Sequence, residues 1–321
     1  MLASLAWIVH GDACLQTAQG AVVHAYDFPW EQGAAAVLLA RQFGVRSVIS
    51  TFGELVPHRG ELDAYEGLDT YAKTTRQILE EADKVVSMTA HCQTRLAIVG
   101  FDPRQAERVR MVVDMEAFHP SVSGARVRSR YGFGSSTVLL FVGQMRARKG
   151  PQVLLSCLPQ LVTRFPDCRL LMVGPDHNYL GYLKRLAEDL ELSEIVSFAG
   201  QVTDDELPEY YAACDALVFP SITEIECLGL SFVQAMFSAK PVIVTSLGGA
   251  REVVRDGIDG WFVEPGSADD LSEKTSRLLE LPKSIREQMG SSARERALSL
   301  FQESSVLAEI EHLYSTLLAE Q

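Results

Sequence analysis

Residues 220–249, PSITEIECLGLSFVQAMFSAKPVIVTSLGG, place an acidic side chain, Glu226, just before a short turn of Cys227, Leu228, Gly229 and Leu230. The pattern predicts an amphipathic helix beginning at that turn, then a buried strand over residues 241–245 and a Gly-Gly loop. The first turn of a helix offers N–H groups without intrahelical partners and the positive end of the dipole, which suits an anion. A carboxylate beside an anion site repels a bare phosphate and is better matched to hydroxyl donors. Diphosphate on the amides and sugar hydroxyls on the carboxylate together describe a nucleotide-sugar. Taken alone, Glu226 reads more readily as a solvated loop acid, because a strand–loop–helix with an acid nearby occurs in any doubly wound sheet.

A second anion-binding candidate follows the apolar run 138–142, where Gly143, Gln144 and Met145 lead into Arg146-Ala147-Arg148-Lys149-Gly150. A lysine held between a strand end and a helix start can set its ammonium on a phosphate. By itself this stretch also reads as an exposed basic loop.

The elements that must position these residues are short aliphatic runs alternating with longer helical patterns, the signature of βαβ units around parallel sheets. Strands are predicted at 21–25, 47–51, 84–87, 138–142, 169–173, 195–199, 216–219 and 242–245, with a hairpin-like piece at 260–263. Helices are predicted at 33–43, 71–82, 91–99, 152–164, 179–189, 206–213 and from about 268 to the end. Residues 119–136, HPSVSGARVRSRYGFGSS, have the composition of a linker or hinge. The reading is two doubly wound α/β domains with ligand at the carboxyl ends of the strands in the cleft between them.

Composition excludes several classes. The 321 residues are 47% hydrophobic and 22% charged, which is ordinary for a packed globule, and the net charge of −13 argues against nucleic acid as a partner. No segment reaches bilayer-spanning length, and no Lys or Arg precedes the apolar opening MLASLAWIV, which reads as a partly buried helix. The six cysteines show neither a CxxC pair nor metal-ligand spacing; most sit in apolar runs, so free thiols and a cytoplasmic home are expected, with no chemistry for Cys227.

At this point the ordered motifs resemble a known family. FVGQMRARKG resembles the FVGRL…KG segment of the family-4 retaining glycosyltransferases of the GT-B fold, and ECLGLSFVQAM resembles their E-x7-E motif. LMVGPD, VSFAGQVTDDELPEYYAACDALVFPS, VTSLGGAREVVRDGIDGWFVEPG and FQESSVLAEIEHLYSTLL are similar to later family segments, and AVVHAYD and VVDMEAFHP to earlier ones. The resemblance implies a GT-B-like fold: a shortened N-terminal Rossmann-like domain at 1–120, a hinge at 121–136, a nucleotide-sugar-binding domain at 137–300, and a C-terminal helix at 301–321 returning to the first domain. It implies catalytic roles for Lys149 on the donor diphosphate and Glu226 on donor-sugar hydroxyls. It places backbone amides of Cys227, Leu228, Gly229 and Leu230 at the diphosphate and main chain of Gly200, Gln201 and Val202 at the base. The implied reaction is metal-independent glycosyl transfer with retention from a nucleoside-diphosphate-sugar to a saccharide, lipid-linked or small-molecule acceptor, with no cofactor.

Four departures from the family pattern bear on that expectation. Gln234 replaces the second acid of E-x7-E, leaving a neutral acceptor for a ribose hydroxyl. Gln144 stands in place of an arginine, and Arg148 is the expected compensating cation, with Arg146 the alternative. Gly53 stands where many members carry a histidine; His24, Tyr26, Glu54 and His58 are the acceptor-side candidates, each more readily read as a satisfied polar residue at a strand end. Finally, Met1 falls late relative to the family's first strand and Gly-rich loop. That predicts an exposed sheet edge covered by a second copy or a partner chain, or an impaired form that binds nucleotide-sugar without turnover. Transient membrane docking through the first domain is the expectation for a lipid acceptor, and a GT-B epimerase or phosphorylase is the remaining alternative.

Overall fold

The computed structural model describes residues 20–27, 29–52 and 68–319. They form two compact units, one from residues up to Val112 together with Glu303 onward, the other from Val113 to Gln302.

In the first unit four strands, β1 (Val22–Asp27), β2 (Arg46–Thr51), β3 (Lys84–Ser87) and β4 (Ala106–Arg108), lie side by side in that order, all parallel. Consecutive strand residues point to opposite faces of the sheet. Ile49 and Val85 therefore pack with Val37 of helix α1 (Ala34–Phe43) and Ile78 and Leu79 of α2 (Leu68–Glu81). Their neighbours Val48 and Val86 pack on the other face against Leu313 and Leu317. Gly44 ends α1 in the left-handed conformation, its N–H bonded to the Ala40 carbonyl. The helix expected over 91–99 is divided: α3 (Ala90–Arg95), capped by the Thr89 hydroxyl, runs into a tighter 3₁₀ turn at Leu96–Val99. The three-residue β4 is too short to show as a periodic run.

The second unit holds six parallel strands: β5 (Thr137–Val142), β6 (Cys168–Val173), β7 (Val196–Gly200), β8 (Ala216–Phe219), β9 (Val242–Thr245) and β10 (Gly260–Val263). Their order is β10-β9-β8-β5-β6-β7. Runs such as TVLLFV and VIVT are continuously apolar because both faces of a parallel sheet are covered by helices. Those helices are α4 (Ala125–Arg130), α5 (Pro151–Arg164), α6 (Leu180–Asp189), α7 (Leu207–Ala213), α8 (Leu230–Phe237), α9 (Ala250–Val253), α10 (Ala268–Glu280) and α11 (Lys283–Phe301). The chain then returns to the first unit as α12 (Glu303–Ala319), the helix carrying Leu313 and Leu317.

Two expectations fail here. The stretch 119–136 is folded into the second unit: Val127 of α4 and Phe133 are buried, and the Arg128 guanidinium donates to Asp215 at 2.8 Å and to the carbonyls of Gly134 and Ser136. Two apolar anchors and one ion pair suffice to dock so short a helix, and they leave no periodicity to read. Gly260–Val263 is not a hairpin arm but an edge strand parallel to β9. Gly260 is needed there because a Cβ would meet the Val242 carbonyl oxygen at 1.7 Å.

Candidate donor site at the switch point

Strand order reverses once in the second sheet. From β5 the chain runs outward through β6 and β7, then crosses back to β8 on the other side of β5 and continues to β9 and β10. The loops leaving β5 and β8 diverge at that point and open a crevice at the carboxyl edge, the usual ligand position in doubly wound sheets. Lys149 follows β5 and Glu226 follows β8. The two residues singled out by their chemistry therefore flank the same opening.

Each is fixed by local chain geometry. After β5, Ala147–Lys149 forms one 3₁₀ turn with the Lys149 N–H on the Arg146 carbonyl. Gly150 follows at φ 74°, and Pro151 opens α5. A Cβ on Gly150 would lie 1.8 Å from the Pro220 carbonyl oxygen, so this turn presses directly on the β8 loop. The Arg148 carbonyl accepts from the Ile222 N–H at 2.9 Å and the Ser221 hydroxyl at 3.1 Å, tying the loops together. The Lys149 ammonium sits 5.7 Å from the centroid of the Phe219 ring, the last residue of β8. Gly229 meets the same ring, which a Cβ at this position would approach to 2.7 Å.

Lys149 donates directly to the Glu226 carboxylate, and the two side chains are only 15% and 13% exposed. Gly229 precedes α8 with no side-chain cap, which leaves the first turn of the helix open to an external acceptor. Leu230 is an exposed apolar residue at that same turn. The Cys227 carbonyl accepts from the Gly249 N–H at 2.8 Å, bringing the Gly-Gly loop after β9 against the same turn. Two polar atoms on the site loops, Gln144 Oε1 and Thr223 Oγ1, are buried without a hydrogen-bond partner among the described residues.

The remaining predicted residues distribute as follows. Gln234 lies on α8, but its Oε1 accepts from the Tyr211 hydroxyl at 2.9 Å; this oxygen, expected to serve a ribose hydroxyl, is already engaged by a fully buried phenol. Burial pushes the Tyr211 hydroxyl well above its ordinary range, so it stays a donor. Arg146, the alternative cation, turns to His177 Nδ1 at 2.9 Å, while Arg148 contributes its carbonyl to the loop tie. Gly200 ends β7 at φ 72°, with Gln201 exposed and Val202 half-buried beyond it. Beside it, a Cβ on Gly174 would lie 1.9 Å from the Gly143 carbonyl oxygen, so the ends of β5 and β6 meet backbone to backbone. Sequence reasoning missed Phe219, Tyr211 and the Ser221–Ile222 tie. The paired endings FVG and MVG after β5 and β6 were a legible sign of the Gly143–Gly174 contact.

In the first unit, His24 and Tyr26 lie on β1, whereas Glu54 and His58 fall outside the described residues. His24 Nδ1 is 2.6 Å from Tyr314 Oη on α12 and Nε2 is 2.7 Å from Ser50 Oγ, so both ring nitrogens are satisfied. Burial lowers its pKa to about 4. Tyr26 is half exposed and stacks on His24 at 4.1 Å. Both line a cavity of about 200 Å³ with Phe52, Met88, Arg110 and Leu313.

Cys157, Cys168 and Cys214 are free and buried, whereas Cys92 and Cys227 are disulfide-bonded. That corrects the expectation of free thiols at these two positions, which the absence of a CxxC pair suggests. Among the described residues no group of three His, Cys, Asp or Glu side chains is placed to hold a metal ion, and no helix is long and apolar enough to cross a membrane.

Two parallel-sheet α/β units are the architecture of glycosyltransferases of the GT-B type. Residues 127–296 match the family Glycosyl transferases group 1, and the chain belongs to that family. It is 33% identical over 283 residues to a GDP-mannose-dependent alpha-(1-6)-phosphatidylinositol monomannoside mannosyltransferase of Mycolicibacterium smegmatis, covering 84% of this chain and 72% of that protein. It is 30% identical over 251 residues to D-inositol 3-phosphate glycosyltransferase 2 of Catenulispora acidiphila, covering 74% and 57%. The fold is shared with Anabaena HepE in complex with UDP and glucose, at TM-score 0.82 and 22% identity over 95% of this chain and 80% of that one. It is likewise shared with sucrose-phosphate synthase of Thermosynechococcus elongatus, at TM-score 0.82 and 23% identity over 98% and 78%.

Proposed function

We propose that this chain transfers a glycosyl group from a nucleoside-diphosphate-sugar to a hydroxyl acceptor, with retention of anomeric configuration and without a metal. The observation that carries the reading is the placement of Lys149 and Glu226 together at the switch point. The Lys149 ammonium and the open first turn of α8 meet the diphosphate, and the Glu226 carboxylate accepts from sugar hydroxyls. As the bond from the anomeric carbon to phosphate breaks, negative charge grows on the departing oxygen, and the ammonium and amides stabilise it there. The acceptor oxygen bonds to the anomeric carbon from the same face, and its proton passes to the departing phosphate. With the diphosphate charge met in this way, the reaction needs no metal.

The relatives named above support the donor and acceptor classes. One is described as GDP-mannose-dependent, a solved neighbour holds UDP, and two curated relatives carry inositol in the names of their acceptors. GDP-mannose and UDP-glucose are therefore the first donors to test, and inositol-bearing molecules the first acceptors. Titration calorimetry is expected to show binding of at least one nucleoside diphosphate, abolished by Lys149→Ala. Failure of every common nucleoside diphosphate to bind at millimolar concentration rejects the proposal.

A second reading, a donor-binding chain that turns over only with a partner, is favoured by one observation: Gln144 and Gln234 leave the site short of one cation and one carboxylate, and the Gln234 oxygen is held by Tyr211. Steady transfer by the isolated chain, lost in Glu226→Ala, rules it out.

A further inference from the structure

We infer that Glu226 selects the sugar-bearing nucleotide over the bare nucleoside diphosphate, by competing with phosphate for Lys149. The inference rests on the donor-binding function proposed above and concerns what the direct Lys149–Glu226 contact does to it.

The two charged groups the donor needs are bonded to each other. Neither reaches that position by a chance excursion of a long side chain. The loops that carry them are tied through the Arg148 carbonyl and pressed together at Gly150, and the ammonium rests over Phe219. With both side chains largely buried, their attraction is screened far less than that of a surface pair.

An incoming diphosphate must share or take that ammonium. Lysine has three N–H donors, so sharing is possible in geometry. The cost is electrostatic: a carboxylate and a phosphate then face one cation, and as the ammonium moves to phosphate the buried carboxylate loses its partner. The bare nucleotide has nothing to offer Glu226 in exchange. A nucleotide-sugar does, because its hydroxyls donate to the carboxylate as the ammonium leaves it. The pair thus acts as an internal rival that only the complete donor displaces without leaving a buried charge unmet.

The same competition runs in reverse after transfer. Once the sugar has moved to the acceptor, Glu226 loses its hydroxyl donors and recaptures Lys149, which weakens the hold on the departing nucleoside diphosphate. Substrate retention and product release are then set by one carboxylate.

The test is titration calorimetry of the full chain and of Glu226→Gln with GDP, UDP, GDP-mannose and UDP-glucose. The amide is isosteric and keeps an acceptor for hydroxyls but cannot hold the ammonium as strongly. The expected result is that Glu226→Gln binds its preferred nucleoside diphosphate about tenfold more tightly than the parent, while affinity for the matching nucleotide-sugar falls or stays level. The ratio of the two dissociation constants therefore collapses by tenfold or more. A ratio within twofold of the parent's overturns the inference while leaving the proposed function standing. No binding of any nucleotide by either form removes both. If Glu226→Gln fails to fold, Glu226→Ala is read by the same titrations, with the same collapse of the ratio expected and an unchanged ratio again fatal.

Discussion

Replacing Gly150 with alanine isolates the contact that registers the Lys149 turn against the Glu226 loop. Two separate costs follow from the structure. At φ 74° a residue with a Cβ is strained by about 1–2 kcal/mol. In addition the new Cβ would lie 1.8 Å from the Pro220 carbonyl oxygen, where contacts below 3.0 Å essentially never occur, so the loops must part by about 1.2 Å. Forcing extra volume into a packed contact costs about 1–3 kcal/mol more. Gly266 supplies the control, since its φ is 75° and nothing lies within 4 Å of the position of its Cβ. Gly266→Ala is therefore expected to cost only the backbone strain, about 1–2 kcal/mol, and Gly150→Ala about 2–5 kcal/mol. At about 2–4 °C per kcal/mol for a domain of this size, differential scanning calorimetry separates the two by several degrees. Parting the loops also withdraws Lys149 from its position. Charged hydrogen bonds contribute about 1.5–3 kcal/mol, so nucleoside diphosphate affinity should fall at least tenfold in Gly150→Ala and be unchanged in Gly266→Ala. Equal melting temperatures and equal affinities for the two variants would refute the claim that this contact positions the lysine.

Two further outcomes test other parts of the structure. Because the folded pKa of His24 is lowered to about 4 from an ordinary value of 6.5, the unfolded chain takes up the proton first as pH falls. The stability contributed by neutral His24 is present above about pH 6.5 and is lost progressively down to about pH 4; an imidazole NMR titration should show a midpoint near 4, and a midpoint above 6 would contradict the burial described. Tyr211→Phe removes the only hydroxyl bonded to Gln234 Oε1 among the described residues and should lower stability by about 1–2 kcal/mol in denaturant titration while changing nucleotide affinity less than threefold. An unchanged denaturation midpoint would show that the phenol's hydrogen bond contributes nothing.

What was legible in the sequence and what was not divide along a physical line. Lys149 and Glu226 could be found because each lies in the loop leaving a strand built on a run of consecutive apolar residues, and the loops after strand ends at a switch point are where backbone geometry itself delivers side chains to a ligand. The helix boundary at Leu230 could be found because the preceding turn carries a glycine where no bulkier residue fits against Phe219. By contrast, the bond from Tyr211 to Gln234 and the anchoring of 119–136 by Arg128 on Asp215 depend on partners far along the chain, 23 and 87 residues away. Nothing local announces such pairs, since a tyrosine bound for the core and one bound for solvent have the same immediate neighbours.

The same division explains why the family departures have unequal weight. Gln144 stands where the resemblance places an arginine, and among the described residues its buried Oε1 has no hydrogen-bond partner. Gln234 instead sits on α8 with its Oε1 accepting from the Tyr211 hydroxyl, so the neutral amide oxygen has a donor in place. A carboxylate at this half-buried position would accept from the same phenol as a charge-assisted hydrogen bond, so Tyr211 serves either side chain as a donor.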